Sequence, residues 1–400
     1  MINTVIRRKN AENVHFIHRK NAENNKYIHR MVVIDMPEYI YQHKNWTEFT
    51  WKNASVSGAL GEVRLLQGKV MGQMHSLGFP SKKEKNLETL TLDVLRSSEI
   101  EGEKLDHGQI RSSVARRLGV NVAGLVPAPR NVDGIVEMML DATQKYRDPL
   151  TEERLFGWHA ALFPTGYSGM NRIAVARYRT EEMEVVSGAI GKEKIHYKAV
   201  AAKDVKAEMD KFISWFNDPG IVTDPVLRSA IAHLWFVTIH PFDDGNGRIA
   251  RAISDMMLAR SEGSSERFYS LSNQILVKRS EYYDMLKRTQ HGGSDITEWL
   301  IWFLGSLKDS MTETEDSIRN ILLKAAFWDE HKDVRINERQ RAMNNKMYDG
   351  FFGKLTAAKW AKMMKCSADT ALRDINDLIE KGMMSKGEAG GRSASYDLIR

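Results

Sequence analysis

The chain has 400 residues, 42% hydrophobic and 28% charged, a balance typical of a globular protein with two or three domains. Its single cysteine, Cys366, excludes an internal disulfide and a zinc cluster of thiolates, which favours a reducing, cytoplasmic setting. The sequence has neither the apolar run of roughly 18 residues that spans a membrane nor the apolar segment of a signal peptide, so we expect no membrane partner.

The net charge of +6 is concentrated at the two ends of the chain. Residues 1–30 carry seven Lys or Arg against two Glu, and residues 335–400 carry thirteen Lys or Arg against eight Asp or Glu. The intervening part is therefore slightly acidic, which argues against a general surface for polyanions.

The N-terminal third divides into a tail and a helical region. Residues 1–36 are predicted to be a disordered basic tail, because the polar sequence RKNAEN recurs at 8–13 and 19–24 without helical apolar spacing. Over 37–125, apolar residues recur every three to four positions, which predicts an N-terminal helical domain.

Residues 126–310 are predicted to form a mainly α core domain with one β-hairpin. A loop at 126–131 precedes helical patterns at 135–146, 151–163, 203–216, 225–239, 246–260, 280–290 and 295–310. Thr151 is the predicted N-cap of the second helix. Within 173–197, β-branched runs on both sides of a glycine-containing centre predict a hairpin at about 184–197.

The segment HPFDDGNGRIAR, residues 240–251, concentrates the chemically active side chains. A glycine-rich turn that leads into a helix presents successive backbone N–H groups and the positive end of the helix dipole, which together bind anions. Asp244 can hold Mg²⁺ together with phosphate oxygens, and Arg248 and Arg251 can bind two neighbouring phosphates. His240 has a side chain suited to accept a proton from a hydroxyl nucleophile.

This segment is similar to the motif of the Fic family, HPFxDGNGRxxR with Asp or Glu at the fifth position, at every fixed position. The resemblance implies a Fic-type helical core and transfer of AMP from ATP to a protein hydroxyl, with Mg²⁺ as cofactor. It also implies roles for the motif residues: His240 as general base, Asp244 as magnesium ligand, Asn246 with the Gly245 and Gly247 backbone as the α-phosphate site, and Arg248 and Arg251 as ligands of the outer phosphates.

Two further segments resemble parts of the Fic site. The predicted hairpin resembles the family's flap, which would pair with an extended segment of the target protein, with Ser187, Gly188, Ala189 and Ile190 at its centre; the alternative is a surface hairpin. In the nearby ARYR at 176–179, relatives often have glycine in place of Ala176. The helix EYYDMLKRTQ at 281–290 resembles the adenine-side helix, with Tyr282, Tyr283, Leu286 and Gln290 at the base; the alternative is core packing.

The segment RSSEIEGEKL, residues 96–105, resembles the family's inhibitory pattern through Ser97, Glu101 and Gly102. Ser97 and Glu101 lie four residues apart and therefore share a helix face. The resemblance implies that the Glu101 carboxylate pairs with Arg251 and takes the place of the γ-phosphate. The alternative is a solvent-facing glutamate at a helix that ends on glycine.

Residues 311–400 are predicted to contain three helices and a glycine-rich strand pair, the pattern of a winged helix-turn-helix domain. The helix that would read DNA, 367–381, carries four acidic residues against two basic ones, a poor match to phosphates. We therefore expect protein docking or a homodimer in preference to DNA.

These observations predict an autoinhibited protein adenylyltransferase that uses ATP and modifies a target protein. Two alternatives stay open. Glu101 could instead orient water so that the same site removes AMP from a modified protein. The chain could also be a DNA-binding regulator whose core senses a nucleotide.

Overall fold

The computed structural model describes residues 38–76, 79–121, 124–187, 194–348, 351, 353–387 and 394–399. The predicted tail at 1–36 and the predicted flap centre at Gly188, Ala189 and Ile190 lie outside these ranges. The described chain is mainly α, as the sequence predicted, and it divides into two compact units, Met1–Thr312 and Glu313–Arg400. The regions 37–125 and 126–310, predicted as separate domains, both belong to the first unit.

Eleven α-helices begin in the described part of the first unit. They are α1 (Asn53–Ser76), α2 (Phe79–Ile100), α3 (His107–Leu118), α4 (Arg130–Gln144), α5 (Glu152–Leu162), α6 (Val205–Asn217), α7 (Pro225–Ile239), α8 (Asn246–Glu262), α9 (Leu271–Val277), α10 (Arg279–Gln290) and α11 (Thr297–Glu330). The sequence missed α9, since seven residues hold too few turns to show a period. It also ended α11 at 310, because the polar stretch TETEDS interrupts the apolar pattern.

The helix ends follow from local chemistry. The Thr151 side chain accepts a hydrogen bond from the Arg154 N–H and caps α5, as predicted. Helix α7 begins after the capping carboxylate of Asp224 with a proline at its first position. It ends at Ile239, because the next residue, His240, adopts left-handed φ and ψ angles of 55° and 59°.

The centre of the first unit is the antiparallel pair α7 and α8, joined by the turn at residues 240–245. Every residue of α7 from Val226 to Ile239 is buried, so this helix is enclosed on all sides and lies within the core. As a result, the C-terminus of α7 and the N-terminus of α8 come together inside a rigid frame. Among the described helices, none is both long and apolar enough to cross a membrane.

Two small antiparallel hairpins flank this frame. Strands β1 (Tyr167–Ser168) and β2 (Asn171–Arg172) pair with each other and were not predicted, because two residues are too few to show alternation. Strands β3 (Glu184–Ser187) and β4 (Lys194–Lys198) form the hairpin predicted at 184–197.

The second unit contains α12 (Glu338–Tyr348), α13 (Ala357–Met364), α14 (Ala368–Glu380), β5 (Met384–Lys386) and β6 (Tyr396–Leu398). Three helices followed by an antiparallel strand pair is the predicted order of elements, and they enclose a core that includes Trp360, Ile375 and Leu378. Asp374 of α14 is buried and accepts hydrogen bonds from Arg339 and Asn337. This acidic residue therefore holds the unit together and does not face outward.

Candidate functional site

The shape of the turn between α7 and α8 depends on Gly245 and Asn246. Gly245 has a φ angle of 82°, and a Cβ atom there would lie 2.9 Å from the Phe163 ring. The Asn246 side chain accepts from the Phe242 N–H at 3.0 Å and donates to the Phe242 carbonyl at 2.8 Å. Gly245 thus permits the turn and Asn246 closes it.

The start of α8 offers unpaired backbone donors. The Ile249 N–H donates to the Gly245 carbonyl at 3.0 Å, so the N–H groups of Asn246, Gly247 and Arg248 lie in the helix's first turn, before its internal hydrogen bonds begin. These groups and the helix dipole make the turn suitable for an anion. The Asn246 side-chain amide uses its oxygen and one of its two N–H donors inside the turn, so its backbone N–H is the group that faces the same way as those of Gly247 and Arg248.

His240 lies directly before this turn. Its Nδ1 is 3.2 Å from the Val237 carbonyl, a contact that assigns the proton to Nδ1 and leaves Nε2 as an acceptor. Burial, and then the positive charge of Arg179, lower the pKa of His240 to about 4. The imidazole is therefore neutral at pH 7 and able to take a proton.

The predicted metal ligand, Asp244, lies on the other side of the turn. The Ser168 hydroxyl donates to its Oδ2, and the Gly245 N–H donates to its Oδ1 at 2.6 Å. The neighbouring Asp243 instead accepts from the Ala174 N–H and fixes a loop. Among the described residues, no group of three or more His, Cys, Asp or Glu side chains is placed to hold a metal ion. A lone carboxylate fits Mg²⁺, which keeps waters and phosphate oxygens as its other ligands.

His159 contacts the turn through hydrogen bonds and ring stacking, and the sequence did not predict this role. Its Nε2 lies 3.2 Å from the Asp244 carbonyl, its Nδ1 accepts from the Ala176 N–H at 3.2 Å, and its ring stacks on Phe242. Burial lowers the pKa of His159 to about 4, so it is a neutral structural group.

Both arginines of the motif are nearly inaccessible and paired with the segment that ends α2. Arg251, 1% exposed, donates to the Ser97 hydroxyl at 2.8 Å and to Glu101 at 2.7 Å. Arg248 donates to Glu103 at 2.9 Å, and its guanidinium lies 5.1 Å from the centre of the Phe163 ring. The first pair is the predicted one, whereas Glu103 was missed.

The Glu101 carboxylate also lies against the start of α8. A Cβ atom built on Gly247 would be 2.2 Å from Glu101 Oε1, so Gly247 leaves the space that this carboxylate occupies. Gly102, with a φ angle of 87°, turns the chain after α2. The predicted residues Ser97 and Glu101 thus contact the motif, and Gly102 ends the helix that carries them, while the inhibitory role stays a prediction.

A cavity of about 130 Å³ lies between α7, α10 and the β3–β4 hairpin. Its lining includes seven of the predicted site residues, namely Glu101, His240, Gly247, Tyr282, Tyr283, Leu286 and Gln290. Pockets for drug-sized ligands measure about 300–1,000 Å³. The cavity is therefore smaller than a bound nucleotide would need while Glu101 lies in it.

Tyr282 belongs to the core and to this cavity together. Its hydroxyl lies 2.8 Å from His233 Nε2, and burial raises the pKa of Tyr282 while lowering that of His233 to about 3. Gln290 is buried near the end of α7, with its amide 3.4 Å from the Thr238 hydroxyl. Of the two alternatives posed by the sequence, core packing is true of Tyr282, while its contact with an adenine base stays a prediction that its place in the cavity lining allows.

Four residues at the site were missed by the sequence: Ser168, Arg179, Glu103 and His159. Each contacts the turn or the motif from a distant part of the chain, so the spacing of neighbouring residues could not predict its role. Of the predicted residues, Ser187 ends β3, and its backbone pairs with Lys194.

Two regions of the chain match family models. Residues 149–258 match the Fic/DOC family, and residues 39–120 match a domain of unknown function, DUF4172. The first match includes the α7–α8 turn, and it confirms that the mainly helical fold is of the Fic type predicted from the motif.

Among curated proteins, the chain is similar to protein adenylyltransferase fic-1 of Caenorhabditis elegans, with 27% identity over 180 residues, 44% of this chain and 32% of that protein. It is 34% identical to protein adenylyltransferase Fic of Nematostella vectensis over 97 residues, 23% of this chain and 20% of that protein. The chain thus spans a third or less of these relatives. A solved Fic family protein from Desulfovibrio desulfuricans G20 has a TM-score of 0.49 and 19% identity, covering 88% of this chain and 98% of that one.

Proposed function

We propose a reaction for this chain, whose residues 149–258 match the Fic/DOC family and which is distantly similar to Fic adenylyltransferases. The reaction is transfer of AMP from ATP to a hydroxyl side chain of a protein, held back by Glu101. The observation that carries the proposal is the Glu101 carboxylate itself. It lies against Gly247 at an anion-binding helix start and pairs with Arg251, beside a neutral histidine.

The reaction follows from the positions of these groups. The target hydroxyl loses its proton to His240 Nε2 as its oxygen forms a bond to the α-phosphorus. The bond between the α-phosphorus and the bridging oxygen breaks, and pyrophosphate leaves with that electron pair. The N–H groups at the start of α8 stabilise charge on the α-phosphate, and the guanidiniums of Arg248 and Arg251 neutralise the outer phosphates. Positioning and charge neutralisation supply most of the catalysis for this class of reaction.

Asp244 is the residue that would hold Mg²⁺. The ion would supply positive charge between the phosphates, and the carboxylate is already oriented by Ser168 and by the Gly245 N–H.

We call the proposed inhibition by Glu101 the brake. In it, the Glu101 carboxylate and a phosphate of ATP compete for the same arginine and the same space at the start of α8. Both arginines that would bind the outer phosphates already have carboxylate partners, Glu101 on Arg251 and Glu103 on Arg248. ATP must displace Glu101 from its place against Gly247 before its triphosphate can extend along α8. Productive binding therefore requires the end of α2 to move away.

The direct test is incubation with α-labelled ATP, Mg²⁺ and lysate, comparing the parent chain, Glu101→Gly and His240→Ala. We expect strong protein labelling by Glu101→Gly, weak labelling by the parent and none above background by His240→Ala. Equal labelling by the parent and Glu101→Gly would refute the brake. Release of AMP from a pre-modified protein, without labelling, would favour the hydrolytic alternative.

For the second unit we propose docking to a protein. Asp374 and Asp377 of α14 accept hydrogen bonds from Arg339 and Gln340 of α12. The helix that would have to bind DNA therefore uses these side chains for contacts within its own unit. A gel shift on genomic fragments, with and without ATP, would detect the DNA-binding alternative.

A further inference from the structure

Arg179 is a buried side chain that the proposed reaction does not use. It is 2% exposed and lies in the loop before β3, at the end of the ARYR segment. Its Nε donates to the His240 carbonyl at 2.8 Å, its Nη2 lies 3.3 Å from the Ile239 carbonyl, and its backbone N–H donates to Pro241 at 2.9 Å. One residue thus satisfies three successive carbonyls around the left-handed His240, which a helix end otherwise leaves unpaired.

The same guanidinium also holds both ends of the β3–β4 hairpin. It donates to the carbonyl of Glu181, which precedes β3, at 2.9 Å, and to the carbonyl of Val200, which follows β4. A second link runs parallel to it, since the Tyr197 hydroxyl of β4 donates to the Thr238 carbonyl at 2.7 Å. The hairpin and the His240 turn are therefore joined through hydrogen bonds to backbone atoms, which cannot change rotamer.

The carboxylates that act on the charge of Arg179, Glu182 and Asp243, do so without forming an ion pair with it. Among the described residues, no carboxylate lies within ion-pair distance of its guanidinium, and burial lowers the pKa of Arg179. A buried charge that meets only carbonyls is costly to keep, and such a group persists where its geometry is needed.

We propose that Arg179 is a positioning residue for the transfer step: it fixes the His240 turn and the β3–β4 hairpin as one piece, so that a hydroxyl presented along the hairpin meets the imidazole. This inference rests on the proposed transferase function. It adds a residue that touches neither nucleotide nor target and acts through His240.

The charge of Arg179 gives this role a second signature. Three charged groups act on His240: Arg179 opposes protonation, whereas Asp244 and Glu101 favour it, and burial adds to the effect of Arg179. Removal of the Arg179 charge therefore raises the pKa of the imidazole, while a lysine in its place leaves that pKa low.

The test uses the full chain with Glu101→Gly as the parent, so that the brake does not mask the effect. Arg179→Lys keeps the positive charge but loses the planar guanidinium and its several N–H donors, and Arg179→Met loses the charge as well. Arg260→Lys is the matched control, because Arg260 also donates to three backbone carbonyls, those of Tyr146, Phe216 and Asp148, on other segments. Three quantities are measured for each variant. They are the rate of label transfer from α-labelled ATP, the Kd for ATP and the pKa of the His240 imidazole, whose NMR signal is identified by its absence in His240→Ala.

We expect Arg179→Lys to slow transfer about 100-fold relative to Arg260→Lys with no change in the Kd for ATP, since an error of about 1 Å in geometry costs about that factor. The imidazole should titrate near its parent value in Arg179→Lys and closer to an ordinary histidine in Arg179→Met. Tyr197→Phe, which cuts only the parallel link, should slow transfer by a smaller factor, and it carries the test if the arginine variants do not fold.

Transfer by Arg179→Lys as fast as by Arg260→Lys would overturn the inference while leaving the transferase intact. The same holds if Tyr197→Phe is fully active where the arginine variants do not fold, or if the imidazole pKa is the same in Arg179→Met as in the parent. A Glu101→Gly parent that transfers no label would instead overturn the transferase and the inference together.

Discussion

The two sides of the α7–α8 turn are held in opposite ways. On one side, the α2 segment, residues 97–103, contacts the motif through two carboxylates whose side chains are 27% and 36% exposed, Glu101 and Glu103, and through the Ser97 hydroxyl and carbonyl. On the other, the ARYR segment, residues 176–179, contacts it through a buried guanidinium that bonds to backbone carbonyls. Carboxylates on arginines can be exchanged for phosphates, whereas backbone carbonyls cannot leave. We therefore propose that the two carboxylates make the α2 segment the releasable side of the site and that the ARYR segment is the fixed side.

The largest expected effect comes from the turn that both sides hold. His240→Ala should reduce transfer by about 10²- to 10⁴-fold, the usual contribution of a general base. Labelling with α-labelled ATP in a Glu101→Gly parent measures it. The Kd for ATP is the control and should stay the same, because the imidazole contacts the nucleophile and not the phosphates. Full activity would remove His240 from the reaction.

On the releasable side, Glu101→Gly should raise transfer about 10- to 100-fold, which corresponds to a coupling free energy of about 1–3 kcal/mol. The substituted chain loses the carboxylate on Arg251 and opens the space against Gly247. Initial rates of self-labelling check the prediction. Glu99→Gly is the matched control, because Glu99 lies on the same helix end and pairs with Arg96 instead. An equal gain in that variant would show that loosening α2, and not the carboxylate, matters.

Glu103→Gln tests whether the releasable side has two independent contacts. The Glu103–Arg248 pair is partly exposed, and such pairs contribute about 0.2–1 kcal/mol, so the affinity for ATP should rise no more than about fivefold. Calorimetric titration with ATP and Mg²⁺ measures the change, with Glu99→Gln as control. Weaker ATP binding would mean that Glu103 orients Arg248 for phosphate and does not compete with it.

The fixed side carries local backbone strain at Ala176, whose φ angle is 56°. This explains why glycine suits the position, since a left-handed conformation costs a residue with a Cβ atom about 1–2 kcal/mol. Ala176→Gly should raise the free energy of unfolding by about 1 kcal/mol. The same substitution at Ala207, exposed in α6, should lower it by about 1 kcal/mol. Denaturant unfolding measures the free energy of unfolding of both variants. A lower value in Ala176→Gly than in the parent would contradict the proposed strain at Ala176.

The contrast between the two sides also marks what the sequence could predict. The sequence could predict the motif, the ends of α5, α7 and α8 and the Glu101–Arg251 contact, because each depends on local spacing or on a motif match. Glu103 and Arg179 were not, since their partners lie about 145 and 61 residues away and only the folded chain brings them together. Ala176 drew notice as a departure from glycine, but its backbone conformation needed the structure.

The site as a whole is proposed to cleave ATP between the α- and β-phosphates. The most direct measurement is parallel incubation of Glu101→Gly with α-labelled and γ-labelled ATP, followed by separation of protein from small molecules. The α label should stay on protein, the γ label should appear only in pyrophosphate, and His240→Ala should reduce both signals by about 10²- to 10⁴-fold. Retention of the γ label on protein, or of neither label, would contradict AMP transfer at this turn.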